Sequence, residues 1–309
     1  MIQVRDLRVD FDSMCAVRDL SLEVGEGEVC GLIGPNVAGK TTTMRAMLGL
    51  VEPTYGEIRM GGVDVREHPR EACKVVGFMP DFPPMYDDLM AWEFLDLFAA
   101  SYGVPKKERP STIDKYLELV NLTERKRAMV VELSRGMRQR LMLAKTLIPE
   151  PKVLMLDEPA SGVDPMGRID LKNIIKRLAG EGKTVLVSSH ILAEMTEFCT
   201  SVAIMEQGRM VVSGTIEDVK ARVMGGVVLE VEVLGEGGDA LAGVVAAEPL
   251  AGIISRDEDL YRFPYRGTPE QGADLLARLV GAGVKVGSFG RKKEGLEELF
   301  LKVGAKEVS

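Results

Sequence analysis

The chain opens on an alternation in which Ile2, Val4, Leu7, Val9 and Phe11 fall on one side of an extended segment, the pattern of a half-buried strand. A continuous apolar run follows at residues 29–33, and two more occupy residues 153–156 and 184–187. A helix expected from about Arg168 to Ala179 separates the last two. Continuous apolar runs suit strands covered on both faces, so this repeated strand-helix-strand order predicts a parallel sheet and an α/β fold. Between the first run and the later pair, the sequence predicts strands around residues 56–60 and over 74–78, then a helical insertion at about 87–147. Leu89, Trp92, Leu95 and Phe98 stand at helical spacing there and predict its core face.

Beyond Ala221 the texture changes to glycine clusters between short apolar segments. Strands are expected at 227–234, 252–256, 260–264 and 284–289, and an apolar helical stretch at 240–247. Thr268-Pro269-Glu270-Gln271 reads as a capping box with proline at the first helical position, opening a helix that ends near Gly281. The order βαββαβ suggests a small ferredoxin-like α+β domain, followed by a helix with Leu296, Leu299, Phe300 and Val303 on one face. The expected division is therefore residues 1–221 and 222–309.

The first of these domains carries the chemistry. Gly34-Pro35-Asn36-Val37-Ala38-Gly39-Lys40-Thr41-Thr42 fits the phosphate-loop pattern G-x-x-x-x-G-K-[ST] directly after an apolar strand. Backbone N–H groups in such a loop curl around phosphates at a helix N-terminus, and glycine permits the close approach. Lys40 supplies charge and Thr41 a hydroxyl for Mg²⁺. The run at 153–156 ends in Asp157 and Glu158, which places two carboxylates at the C-terminal end of a buried strand. Asp157 is suited to holding Mg²⁺ and Glu158 to orienting and deprotonating a water.

Leu133-Ser134-Arg135-Gly136-Met137, Ser161-Gly162-Val163-Asp164 and Ser188-Ser189-His190 follow in an order and spacing that, with the phosphate loop and the paired acids, resemble the ATP-binding cassette of ABC transporters. The resemblance covers roughly the first 220 residues. It implies a P-loop NTPase cassette with a RecA-like core, a β-rich N-terminal part and a helical subdomain. It also implies two Mg-ATP molecules sandwiched in a head-to-tail pair of cassettes, here a homodimer. In that arrangement Ser134 and Gly136 bind the γ-phosphate held by the second subunit's loop, Asp164 lies in the segment that crosses the interface, and His190 matches the switch histidine. Phe11 matches the aromatic residue that stacks on adenine, although it also reads as a strand residue of the opening alternation. The closing segment at 294–303 resembles those of drug and antibiotic exporters, which work with a separate integral-membrane permease. Residues 81–86, crowded with prolines and aromatics, are the expected contact to that permease.

Three residues depart from the family pattern. Val37 stands where glycine is usual, and a β-branched residue is strained wherever φ is positive. Arg135 and Met137 replace a glycine and a glutamine of the signature. Asp81 stands where the coupling-loop glutamine is usual; a carboxylate can still ligate Mg²⁺, but it adds negative charge beside the triphosphate. A low-turnover regulatory module and a cassette ATPase acting on nucleic acid or ribosomes remain alternative readings.

Composition narrows the partners. With 39 basic against 47 acidic residues and a net charge of −8, a broad nucleic-acid surface is not expected. No apolar stretch approaches the roughly 18–20 residues of a membrane span, and with an alternating strand at the outset no signal peptide is expected. A peripheral location on the cytoplasmic face of the membrane is expected. Cys15, Cys30, Cys73 and Cys199 form no C-x-x-C pair and read as reduced, structural thiols.

Overall fold

The opening alternation forms a strand, β1 (Ile2–Phe11), paired antiparallel with β2 (Met14–Val24). Ile2, Val4, Leu7 and Val9 are buried as expected, and the one-residue slip between Val4 and Leu7 is absorbed by a bulge with Asp6 at φ 49°. Phe11 leaves this pattern and is 44% exposed at the end of the strand. The structure, a computed structural model, describes residues 1–12, 14–81, 85–219, 227–235, 237–252, 254–265 and 267–291. The chain divides into two units, Met1–Ile216 and Glu217–Ser309.

In the first unit, β3 (Val29–Ile33) leads into α1 (Lys40–Met47), followed by β4 (Tyr55–Met60), β5 (Val63–Asp64), α2 (Pro69–Val75) and β6 (Val76–Met79). The helices α3 (Ala91–Ser101), α4 (Arg109–Leu119) and α5 (Arg135–Leu147) make the helical insertion. Next come β7 (Val153–Leu156), α6 (Pro165–Gly180), β8 (Thr184–Ser189), the short α7 (Leu192–Met195), β9 (Ser201–Glu206) and β10 (Arg209–Thr215). One sheet is antiparallel in the order β2-β1-β4-β5; the other runs β10-β9-β3-β8-β7-β6, parallel except for its β10 edge. Every residue of β3, β7 and β8 is buried, which accounts for the apolar runs within them.

The parallel register places the functional segments. Met79 pairs with Leu156, Leu156 with Val187, and Ile33 with Ser189. The residues that follow β6, β3, β7 and β8 therefore emerge at one edge of the sheet, the place where open α/β sheets hold ligands.

Several expected boundaries move, each for a local reason. Lys74 and Val75 close α2 rather than opening a strand, because Pro69 sits in its first turn with Glu71 and the apolar run after it is only four residues long. The buried face of α3 is Ala91, Phe94, Leu95 and Ala99 rather than the stripe through Leu89, Trp92 and Phe98. Leu89 precedes the helix, whose start is set by Glu93 accepting from the Met90 N–H at 2.9 Å. The helix α6 begins at Pro165, not Arg168, because Asp164 caps it by accepting from the Gly167 N–H at 3.1 Å. Of the four thiols, Cys30 and Cys199 are buried, whereas Cys73 is exposed on α2.

The second unit contains β11 (Val227–Val233), α8 (Gly238–Ala246), β12 (Ser255–Asp257), β13 (Leu260–Tyr265), α9 (Pro269–Gly281) and β14 (Val286–Arg291). Its sheet is antiparallel in the order β12-β13-β11-β14. Leu229, Val231, Phe263, Leu241 and Leu275 share its core. The Thr268 hydroxyl accepts from the Gln271 N–H and the Gln271 side chain from the Thr268 N–H, the capping box the sequence predicts. The helix expected at 294–303 lies outside the described residues. Among the described residues, no helix is long and apolar enough to cross a membrane.

Gly56 shows how tightly the antiparallel sheet is built. At φ 112°, its missing Cβ would stand 2.7 Å from Leu7 Cα and 2.8 Å from Asp6 O, opposite the bulge of β1. Gly56→Ala is expected to reduce unfolding free energy by at least about 1–3 kcal/mol from the backbone conformation alone. Urea denaturation of the variant beside the parent checks this; an unchanged midpoint would contradict the close approach.

Candidate functional site

The loop between β3 and α1 is shaped by two glycines. A Cβ on Gly34 would lie 2.8 Å from Ala38 Cβ and run into the Met205 carbonyl; at Gly39, φ 96°, it would lie 2.6 Å from Ala16 O. Neither position accepts a side chain. Gly39 sits at the N-cap of α1, so the helix's unpaired N–H groups and positive dipole end point out of this loop. Pro35 is half-buried, Asn36 and Thr41 are exposed, Thr42 is half-buried and Ala38 is buried. Val37 is 88% exposed and its φ is not positive. The valine departure therefore carries no left-handed strain, and its side chain stands in solvent.

Lys40 is folded back against its own loop. Its ammonium donates to the carbonyls of Gly34 at 2.7 Å and Pro35 at 3.2 Å, and lies 3.6 Å from Glu158 Oε1. Burial pushes its pKa down, while Glu158 and Asp157 pull it back up. The lysine is thus held by weak neutral acceptors and one looser ion pair, partners that a phosphate group would outbid.

The acids at the end of β7 are organised by Ser188, the penultimate residue of β8. Its hydroxyl donates to Asp157 Oδ1 at 2.5 Å and accepts from the Glu158 N–H at 2.9 Å. The other oxygen of Asp157 accepts from the Thr41 hydroxyl at 3.2 Å. One fully buried serine therefore ties the Asp157 carboxylate to the Glu158 main chain and, through Thr41, to the phosphate loop. The sequence pattern draws attention to Ser188 only as the residue before Ser189-His190; its bridging role depends on the β7–β8 register. Glu158 adopts φ 47°, a conformation costly for a non-glycine residue. Its Oε2 lies 2.9 Å from His190 Nδ1.

Asp81, just past β6, belongs to the same acidic group. Burial first, then Glu158 and Asp157, hold its carboxyl above the usual range, while Arg135 and His190 oppose that shift. Its Oδ1 is buried with no hydrogen-bond partner among the described residues. Gln139, which the sequence does not single out, donates through Nε2 to the Asp81 carbonyl at 3.5 Å. Of the expected permease contact at 81–86, residues 82–84 lie outside the described residues, and Tyr86 is 56% exposed.

Lys40, Thr41, Asp81, Asp157, Glu158 and His190 thus converge. Ser134, Gly136 and Asp164 form a second group: the Ser134 hydroxyl caps α5 by accepting from the Met137 N–H at 3.3 Å, and a Cβ on Gly136 would meet Val163 and Asp164 at 3.1 and 3.4 Å. Among the described residues, no hydrogen bond or ion pair joins this group to the phosphate loop of the same chain. Phe11 lies at the β1–β2 turn opposite Met14.

The family model for ABC transporters matches residues 17–161. A Nod factor export ATP-binding protein I from Cupriavidus pinatubonensis is 34% identical across 100% of this chain and 92% of its own. A daunorubicin resistance ATP-binding protein from Streptomyces coeruleorubidus is 34% identical over 93% of this chain and 90% of its own. Among solved structures, the ATP-binding subunit of an ABC transporter superposes with a TM-score of 0.65 at 30% identity, covering 72% of this chain and 92% of that one. Another, cbiO1 from Clostridium perfringens, part of the ABC transporter complex cbiONQ, superposes with a TM-score of 0.66 at 25% identity, covering 71% of this chain and 90% of that one.

Two measurements probe this geometry. Ser188→Ala leaves Asp157 Oδ1 and the Glu158 N–H without their shared partner and is expected to cost about 1–3 kcal/mol of stability in chemical denaturation. Val37→Gly is expected to leave ATP affinity within about twofold of the parent by calorimetry, since there is no positive-φ strain of the roughly 1–3 kcal/mol kind to relieve; markedly tighter binding would contradict the backbone reading.

Proposed function

Because this chain belongs to the ABC transporter family as an ATP-binding, ATP-hydrolysing subunit, we propose that it works as a homodimer around two Mg-ATP molecules and powers export through a separate membrane permease. The observation that carries the reading is the split between the two residue groups. Lys40, Thr41, Asp157, Glu158 and His190 make one half of a hydrolytic site, while Ser134, Gly136 and Asp164 are organised without any bond to it among the described residues. A second copy placed head to tail would supply the missing half.

In this reading the phosphate loop, residues 34–42, receives the triphosphate at the N-terminus of α1, and Phe11 stacks on the adenine. Lys40 exchanges the carbonyls of Gly34 and Pro35 for phosphate oxygens. Glu158 orients the attacking water and accepts its proton, with its backbone and side chain held by Ser188 and His190. Ser134 and Gly136 of one copy close on the γ-phosphate bound by the other, with Asp164 at the seam.

The donor set fits Mg²⁺. Thr41 and Asp157 present hard oxygen ligands that already converge, and among the described residues no group of three or more His, Cys, Asp or Glu forms a dedicated metal cage. That combination suits a cation shared between one or two carboxylates and substrate phosphates. Thr41 and Asp157, with Asp81 as a further carboxylate, would hold it, and it would neutralise charge on the phosphates.

The exporter relatives support the direction of transport, and the net charge of −8 supports a partner other than nucleic acid. The four-stranded order of the second unit, with two helices between its strands, supports a ferredoxin-like accessory domain. Residues 1–221 would form the cassette and 222–309 that accessory domain, attached to a subunit seated on the cytoplasmic face of the membrane.

Glu158→Gln keeps the side-chain shape but cannot take a proton. It is expected to slow hydrolysis by about 10²-fold or more while preserving ATP binding, so that the ATP-bound dimer accumulates. Light scattering coupled to size exclusion at saturating Mg-ATP reads this directly. A variant that binds ATP normally yet stays monomeric would sink the sandwich.

A further inference from the structure

The segment that leaves Glu158 is built as two successive turns. The Ser161 N–H donates to the Glu158 carbonyl at 3.0 Å and the Val163 N–H to the Ala160 carbonyl at 3.2 Å, after which Asp164 caps α6. Val163 is buried, and a Cβ on Gly136, in the first turn of α5, would meet it at 3.1 Å. Its carbonyl is taken by Arg168. From one turn into α6, this arginine donates through Nε to the Val163 carbonyl at 2.8 Å and through Nη1 to Glu194 Oε1 at 2.5 Å.

Helix formation alone does not call for an arginine there, because a cation near a helix N-terminus meets the positive end of the dipole. The first turn of α6 carries no acidic residue to offset it. Glu194 supplies that offset from another element, and the planar guanidinium holds a carbonyl and a carboxylate in one fixed geometry. Glu194 belongs to α7, whose next residue, Met195, is seated on β3: a Cβ on Gly31 would stand 3.2 Å from Met195 Cβ. Glu194 follows His190 by four positions in the chain, and the Ile191 N–H between them is held by the Ser189 hydroxyl at 3.0 Å. His190 in turn lies 2.9 Å from Glu158. The contacts close a ring that runs from Glu158 through the two turns to Val163, Arg168, Glu194 and His190, and back to Glu158. One turn further along α6, Lys172 pairs with Glu197 outside this ring.

We propose that Arg168 is a positioning residue that ties the segment 161–164 to the segment carrying His190, so that a displacement of the first is passed through Glu194 to the second. The catalytic consequence rests on the ATPase reading above. In that reading 161–164 meets the partner copy, and Arg168 makes the presentation of His190 depend on that contact.

Three substitutions in the full chain test the bridge. Arg168→Met removes both donors and keeps the stem, Glu194→Gln removes the charged partner, and Lys172→Gln removes an ion pair between the same elements but outside the ring. In nucleotide-free protein, Glu194→Gln is expected to lower the hydrogen-exchange protection of the Ser161 and Val163 amides by about threefold or more, although it bonds to neither. The effect is expected to shrink to less than half when Arg168 is already methionine. The chain has two histidines, His68 and His190, so labelled imidazole signals report on each; Arg168→Met is expected to move the His190 resonance at fixed pH and to leave that of His68 in place. Lys172→Gln is expected to change neither readout. In steady-state kinetics, Arg168→Met and Glu194→Gln are each expected to lower kcat by about tenfold with KM for ATP changed by less than about threefold, and the double variant to be about as slow as either single one. Protection lost only around α7, an unmoved His190 resonance, or an equal response to Lys172→Gln would overturn the bridge and reduce Arg168 to an anchor for α7. If the parent hydrolyses no ATP, the hydrolytic reading fails, while exchange and the imidazole signals still decide the bridge.

Discussion

Four parallel strands, β6, β7, β8 and β3, end within a residue or two of one another, and that register is the constraint on which the candidate site depends. β3, β7 and β8 are buried throughout and β6 at alternate residues, so slipping one by a residue would turn its apolar side chains out of register with the neighbours and lose much of the core. The same pairing delivers Asp81, Asp157 with Glu158, His190 and the phosphate loop to a single edge. Core packing and site geometry are thus specified by one set of contacts, and neither can be altered without the other.

Within that edge, Ser188 does for side chains what the register does for strands. It satisfies an Asp157 oxygen and the Glu158 N–H at once, so the two acids are not independent. A fully paired polar network of this kind is rigid in a low-dielectric setting, where an unpaired member would be costly. The flexible members are at its margin. His190 is 46% exposed and touches Glu158 alone among the groups described, and Lys40 is held by partners it can exchange. The site combines a fixed acid pair with two groups free to answer a ligand.

The sequence made the core strands, the phosphate loop and the paired acids legible because each is a local pattern: an apolar run, a glycine spacing, a strand ending in carboxylates. The capping box at Thr268 was readable for the same reason. What escaped is non-local or depends on phase. The face of α3 shifts with the residue at which the helix starts, and Leu89, Trp92 and Phe98 fit a stripe until Met90 and Glu93 fix that start. Ser188, Gln139 and the reach of Arg168 from Val163 to Glu194 arise from pairing across sheets and helices, which spacing along one chain does not encode. Asp164 read as an interface residue, but its cap on α6 was hidden in the Asp-Pro pair that follows the loop.

Glu158 adopts a backbone conformation better suited to glycine, asparagine or aspartate. Those residues would relax the turn, yet none places a carboxylate at the same reach from the main chain as glutamate does. If Glu158 is the base proposed above, the position is one where thermostability and turnover are selected in opposite directions. On that reading, a library screened only for resistance to heat would drift toward silent cassettes that fold well and hydrolyse nothing, and the loss would begin at this residue.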